Sequence, residues 1–459
     1  MRLKITRLSG TGGNSSDDGV ALAFLEYTTA SVSSFRIKTI GAVNYDVDWG
    51  DGSSDTGVTN TQKSHTYSSP GVYKIKITPA EGSTFRPEQY GVPDFQTNLT
   101  EVDGAGGSQF ATDVTKWLRE HTSLTSVGAI DMSSVTNFQA TWRGCSGLTS
   151  FGLVNTSSGT NFNSTWLDCS SLTSFPAINT SSGTNFSFAW SGCSGLTSFP
   201  LIDTSAATDF ENAWGNCTGL TSFPLIDTSN LTLFKSPWFG CSGLISFPLI
   251  DTSSATSLQG AWNGCRSLTS FPLINTSNCT NLFKTWFDCG NLESFPLINT
   301  SACENFIQTW FSNSDLDNIS NLPGATTSFP LINTSNGTSF EGCWMGCSSF
   351  VSFPALNFSS TTTMKSSWNN CIALTTFPAN LFDSTGTLAS NAFFNTWLSC
   401  ALTAQSIENI LTSLDTNGAN NISLVISGGT NAGKSTWSSA ANTAYNNLIT
   451  KGWTIAYNA

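Results

Sequence analysis

Apolar positions in this chain recur with neither the period of 2 of a half-buried strand nor the 3.6 of a helix, but every 24 residues. Trp142, Trp166, Trp190, Trp214, Trp238, Trp262 and Trp286 each stand three residues before a cysteine, from Cys145 to Cys289. Further copies carry Trp310 (with Asn313 at the cysteine position), Trp344 with Cys347, Trp368 with Cys371 and Trp397 with Cys400. Trp117, followed by Glu120, reads as a degenerate first copy. Twelve tryptophan-marked copies of one period predict a stacked solenoid, because a single unit cannot bury its own apolar side.

Within one unit, "FENAWGNCTGLTSFPLIDTSNLTLFKSPW" (Phe210 to Trp238), the apolar residues fall into two groups. Phe210 and Trp214 are four apart, so the pair is expected on one face of a short helical turn. Leu220, Phe223 and Ile226 follow along an extended segment. Pro176, Pro200, Pro224, Pro248, Pro272, Pro296, Pro330, Pro354 and Pro378 recur after its phenylalanine, and a proline cannot donate to a ladder. Very short strands are therefore predicted around L-T-S-F, and at about 4.8 Å per coil twelve coils would extend roughly 55 Å. The period breaks twice. Asn313 to Cys347 is 34 residues, with the polar insertion "DNISNLPGATT" at 317–327 predicted to protrude as a loop. Cys371 to Cys400 is 29, with the extra residues near Phe382 to Leu388.

The recurrent W-x-x-C-x-x-L-T-S-F-P-x-I-x-T-S resembles the BspA-like leucine-rich repeats of bacterial surface proteins, with Trp and Pro where that family uses other residues. The resemblance implies a leucine-rich-repeat solenoid over residues 101–400. Ahead of it, alternation in "FRIKTI" and "YKIKI" predicts half-buried strands. Trp49-Gly50-Asp51-Gly52 with His65-Thr66-Tyr67 and Gly71-Val72-Tyr73 resembles the PKD-type immunoglobulin-like domain, which implies a β-sandwich over 35–100 used as a spacer or binding module. Residues 1–34 would be an anchor or add strands. After Cys400 the period stops. Ile407, Ile410, Leu411 and Leu414 predict an amphipathic helix, followed by a strand (422–426), a second helix and a strand (453–457). This 401–459 unit is similar to modules that end phage tail and prophage surface proteins, and is expected to cap the stack. The fold class expected is thus mostly β with short helices: an N-terminal β-sandwich, a leucine-rich-repeat solenoid of about twelve coils, and a small α/β C-terminal cap.

Charge narrows the partners. Charged residues are only 10% of the chain, against roughly 25% in ordinary globular proteins, so neutral polar groups must solvate the surface. A net charge of −12 argues against nucleic acid, since too few cations exist to neutralise phosphates. No segment approaches the roughly 20 apolar residues of a membrane helix, so no membrane insertion is expected. The N-terminal apolar run Val20–Leu25 lies behind Asp17 and Asp18 and is too short for an export signal.

Candidate chemistry is sparse. Gly428 to Ser435, "GGTNAGKS", fits the phosphate-loop pattern G-x-x-x-x-G-K-[ST]. A working loop also needs a parallel sheet and a metal-binding Asp, so the segment is expected to be a turn leading to a helix N-cap at Ser435 or Thr436. One cysteine per coil does not make zinc pairs, and the thirteen cysteines are expected to be free thiols. Asp203, Asp227 and Asp251 precede "TS" in successive coils, and stacked carboxylates there could take up Ca²⁺ or simply form solvated Asx turns. Asp46, Asp48, Asp51 and Asp55 resemble a calcium loop only loosely, because Gly50 occupies a ligand position. No Ser/His/Asp constellation or paired-carboxylate motif stands out, with only His65 and His121 in the chain. No catalytic residue and no cofactor is expected.

Extracellular-type modules without an export signal are reconciled by a virion component, assembled in the host cytoplasm and released by lysis. The expected protein is a non-enzymatic phage tail fibre, or a capsid-surface fibre or decoration protein, exposed on the virion. Its expected partners are a host surface receptor or glycan and other virion proteins, and its exposure is compatible with a homo-oligomer. The alternatives are a bacterial cell-surface adhesin and a polysaccharide-degrading enzyme.

Overall fold

In Lys74-Ile75-Lys76-Ile77 the isoleucines are buried and the lysines exposed, the alternation of a strand with one wet face. The computed structural model describes residues 24–41, 43–88, 98–105, 110–292, 295–311 and 329–459. Residues 1–23 of the N-terminal segment and the whole 317–327 insertion lie outside the described residues. The N-terminal strands are β1 (Phe24–Thr29), β2 (Val32–Lys38), β3 (Tyr45–Asp48), β4 (Ser54–Val58), β5 (Gln62–Gly71), β6 (Lys74–Pro79) and β7 (Leu99–Ala105). Two short strands follow in the repeats, β8 (Ser126–Val127) and β9 (Ser150–Phe151). One seven-stranded sheet has the order β4-β3-β6-β1-β7-β8-β9, and β2 pairs with β5 separately. Tyr27, Phe35, Ile37, Tyr45, Val47 and Ile75 are among the buried residues of these strands.

The structure corrects the expected fold class in three respects. The sandwich is not a closed module followed by a separate array: β7 pairs in parallel with β8 of the first repeat, which pairs with β9 of the next. The L-T-S-F segments do not form a strand in each coil, since β8 and β9 are the only strands among the described repeats. The Phe-x-x-x-Trp segments are not helical turns either. Only two α-helices occur among the described residues, both beyond Cys400. A leucine-rich-repeat solenoid is therefore not what forms.

What forms is a stack of 24-residue units in parallel register, seen in bridges such as Asn137↔Asn161 and Asn161↔Asn185. Its cross-unit hydrogen bonds lie where the helical turns were expected. The N–H groups of Phe138, Ala140, Trp142 and Gly144 donate to the carbonyls of Asn161, Asn163, Thr165 and Leu167 in the next unit, at 2.7–2.9 Å. The amides between them close turns inside the unit, as Thr141 to Phe138 and Cys145 to Trp142 do. Half the amides thus point inward along the unit and half along the stack. The backbone manages this by entering the left-handed region at two residues per unit, for example Asn212 (φ 49°) with Asn216 (φ 59°), and Ser236 (φ 54°) with Gly240 (φ 68°). A helix cannot pass such residues. The extended Phe-Pro-Leu-Ile segment makes no ladder. There the next contact along the stack is a buried threonine hydroxyl, as in Thr180 Oγ1 to Asp203 O (2.5 Å) and Thr204 Oγ1 to Asp227 O (2.7 Å).

Inside the stack, eleven indoles from Trp142 to Trp397 form one column, with neighbouring ring centroids 5.3–6.1 Å apart and planes within 13°. A phenylalanine ring stands edge-on to each of the first ten, at 4.7–5.0 Å. None of the eleven indole N–H groups has a hydrogen-bond acceptor. Trp117 differs: its Nε1 donates to Tyr27 Oη at 3.1 Å and ties the base of the column to the N-terminal sheet.

The last unit is covered by α1 (Ala404–Asn417), β10 (Ser423–Ile426), α2 (Ser439–Thr450) and β11 (Thr454–Tyr457). Helix α1 buries Ile407, Ile410, Leu411 and Leu414, starts at a Thr403 hydroxyl cap and ends at left-handed Gly418. Strand β10 and the residue that follows it accept the stack's outgoing bonds, from Trp397 N to Val425 O and from Ser399 N to Ser427 O, and β10 pairs in parallel with β11.

Candidate functional site

The phosphate-loop pattern folds against the last unit, and its glycines serve that contact. A Cβ on Gly429 would lie 2.3 Å from Cys400 O, and one on Gly433 would lie 2.2 Å from Ala459 O. Alternate N–H groups of the loop are already engaged: Gly428 with Asn458 Oδ1 (2.8 Å), Thr430 with Cys400 O (3.0 Å), Ala432 with Leu402 O (2.8 Å) and Lys434 with Asn458 O (2.9 Å). Buried Asn431 completes the seam, accepting from Leu402 N and donating to Trp397 O. A phosphate cradle needs those donors convergent and free. The lysine is diverted as well. Its ammonium lies 3.6 Å from the Tyr445 ring centroid, 5.0 Å from Tyr457 and 6.0 Å from Trp437, an aromatic enclosure that holds a cation by its ring faces. The expected N-cap at Ser435 or Thr436 is displaced: Lys434–Thr436 is a single 3₁₀ turn, and Ser438 caps α2.

Lys434→Ala should therefore cost about 1–2 kcal/mol of stability by emptying that enclosure. The same preparation should show no melting shift with MgATP before or after the substitution. A nucleotide-dependent rise in Tm that Lys434→Ala abolishes would restore the phosphate-binding reading.

Not legible in the sequence is that the turn between β3 and β4, which holds Asp51 and Ser53, is brought against His65 of β5. Asp51 Oδ1 accepts from the Ser53 hydroxyl at 2.6 Å and from its N–H at 2.9 Å, while His65 Nε2 lies 2.8 Å from Asp51 Oδ2 and 3.4 Å from Ser53 Oγ. One imidazole nitrogen faces both partners, so the ring does not bridge a hydroxyl to a carboxylate as a catalytic relay does. The Ser53 hydroxyl bond, then the His65 bond, hold the Asp51 carboxyl well below the usual carboxylate range. The His65 ring stacks on Trp49 at 4.9 Å, and Trp49 Nε1 donates to Asp55 at 2.9 Å, which also takes the Lys63 ammonium at 2.9 Å. Of the loose calcium-loop set, Asp46 and Asp48 accept from Gly57 N and Gly50 N. The four carboxylates are thus each turned to a different local donor. His121 is buried in the first repeat, and burial pushes its imidazole down to about 4.

Asp203, Asp227 and Asp251 are exposed, one per unit. Each carboxylate accepts from the N–H two residues on, at Ser205 (3.0 Å), Ser229 (2.9 Å) and Ser253 (2.8 Å), closing an Asx turn. Among the described residues no three His, Cys, Asp or Glu side chains converge on a metal-sized site. The thirteen cysteines are free thiols. Those of the W-x-x-C column donate to a carbonyl of the preceding unit, as Cys217 Sγ does to Trp190 O at 3.1 Å and Cys265 Sγ to Trp238 O at 3.3 Å.

The feature missed most completely is an outward column of leucines in the Phe-Pro-Leu-Ile segment, including Leu201, Leu225, Leu249 and Leu273. The signal was present. From Leu225 to Thr228 the side chains alternate out, in, out, in, so Ile226 and Thr228 face the core while Leu225 and Asp227 face solvent. No family model matches the chain, and no curated protein matches it.

Proposed function

We propose that this chain is a non-enzymatic structural protein of a phage virion surface, a tail fibre or a capsid-surface fibre or decoration protein that presents its repeated columns to a host receptor or glycan. The observation that carries the reading is the stack itself. Parallel bridges run without reversal from Asp113 to Leu424, one aromatic column fills the interior, and other elements pair with both ends. Such an array is a long, stiff, repetitive surface, and seven of its units carry a leucine at the same outward position, flanked by Asx and Ser/Thr. The residues Trp49-Gly50-Asp51-Gly52 and His65-Thr66-Tyr67 at its base resemble those of PKD-type spacer modules of exposed proteins. The low charge, 10% of residues, fits a neutral polar exterior. The deciding measurement is peptide mass spectrometry of density-purified virions from lysates in which the protein is made. The protein should co-purify stoichiometrically with capsid or tail proteins. Its absence from particles, with presence in the cell envelope, would replace this reading with a cellular adhesin.

A further inference from the structure

The outward leucine column is the largest unexplained apolar feature of the stack. Seven leucines from Leu153 to Leu331 are 59–67% exposed, one per unit, with exposed Ala177 and Ala355 at the same position in two other units. Single exposed leucines are ordinary, but those of the six successive units from Leu201 to Leu331 make a contiguous patch, which marks an interface. A standard specific interface buries about 800 Å² per partner, an extent that needs the leucine stripe together with its flanking proline, serine and Asx columns.

We propose that this stripe is the dimer interface between two copies of the chain, associated side by side in parallel about a two-fold axis running along the stack. The two flanks of the stripe differ in charge and select this arrangement. On one side stand exposed Asp203, Asp227 and Asp251, continued by Asn275 and Asn299. On the other stand neutral, exposed Thr197, Ser198, Thr221 and Ser222. A two-fold along the stack lays leucine on leucine and sets each carboxylate column opposite the partner's hydroxyl column, where the hydroxyls can donate to it. A two-fold across the stack instead lays the carboxylate column over its own copy, bringing Asp251 onto Asp251 when Leu249 is central, which like charges oppose. The parallel arrangement also keeps every unit in register with its equivalent, so the whole length of the stripe is used. It does not depend on the virion reading.

The full chain should sediment at twice its 48.8 kDa mass at micromolar concentration. Leu225→Asp with Leu249→Asp should weaken association by more than about 100-fold. Both side chains are outside the core, so the near-ultraviolet dichroism should not change. Orientation is read from introduced thiols, because native thiols are held in the core. Leu153→Cys alone should cross-link to its equivalent in the partner, and mixing it with Leu331→Cys should give no mixed cross-link. A wild-type monomer at all concentrations, a trimer, a dimer indifferent to the double Asp substitution, or mixed cross-links in place of matched ones would each overturn the proposal.

Discussion

Trp214→Ala should destabilise the protein by about 3–5 kcal/mol, read as a lowered urea midpoint at a dilution where the chain is monomeric, whereas Leu225→Ala, eleven residues on in the same unit, should change it there by less than about 0.5 kcal/mol. Trp214 is fully buried, stacks on Trp190 at 5.4 Å and on Trp238 at 6.0 Å, and meets Phe199, Phe210 and Phe223 edge-on. Removing it opens a cavity shared by three units, and units stacked in one dimension hold only their neighbours. The more informative variant is Trp214→Phe. The Trp214 N–H has no acceptor, and an unmet buried donor carries a desolvation cost of about 1–3 kcal/mol. Phenylalanine leaves a smaller void and removes that donor, so its penalty should be less than half that of alanine. Equal penalties for Phe and Ala would show that the indole N–H is satisfied. An Ala variant as stable as Leu225→Ala would mean the column does not carry the core.

The period and the aromatic column were legible because a fixed spacing of Trp and Cys survives any change of backbone conformation. Helix α1 was legible for the usual reason, since Ile407, Ile410, Leu411 and Leu414 follow the helical period and all are buried. The cross-unit ladder was not. Phe210 and Trp214 at a spacing of four mimic a helical face, yet Asn212 and Asn216 between and after them take the left-handed conformation. Asparagine and glycine tolerate it, but Lys284 and Gln308 also adopt it at the equivalent position, and nothing in those residue types announces it. The phosphate-loop pattern misled for a related reason. Glycines that let a backbone approach a phosphate equally let it approach Cys400 and Ala459, and the letters do not distinguish the two. The leucine column was hidden by composition, because an apolar residue beside a buried isoleucine reads as core until the alternation is followed outward.

Alkali should unfold this protein at a pH where most cytosolic or secreted domains are unaffected. Burial pushes the thiols of Cys145, Cys241, Cys347 and Cys400 up to about 12, and those of Cys169, Cys217, Cys265, Cys343 and Cys371 well above their ordinary value. An unfolded thiol ionises near 8.5. Below that pH both states are protonated and the thiols' contribution is fully present. Above it the unfolded chain has lost protons that the folded chain keeps, so unfolding becomes more favourable as pH rises towards the folded values. Each such thiol then withdraws about 1.4 kcal/mol per pH unit. Five of them would exhaust a typical stability of 5–15 kcal/mol within about two pH units. Buried Tyr45, pushed up to about 12 chiefly by burial, adds to the same slope once free tyrosine ionises near 10. Urea midpoints should therefore be highest near about pH 7, fall slightly towards about pH 6 as His121 protonates only in the unfolded chain, and collapse by about pH 10.5. The control is Cys217→Ser with Cys265→Ser, since a hydroxyl can still donate to Trp190 O and Trp238 O but does not ionise in this range. That pair should remove about 2.8 kcal/mol per pH unit from the slope. A midpoint unchanged at about pH 10.5 would mean the thiols already ionise in the fold. An unchanged slope in the double serine variant would assign the lability to other groups, and would separate the cysteine column's packing role from its protons.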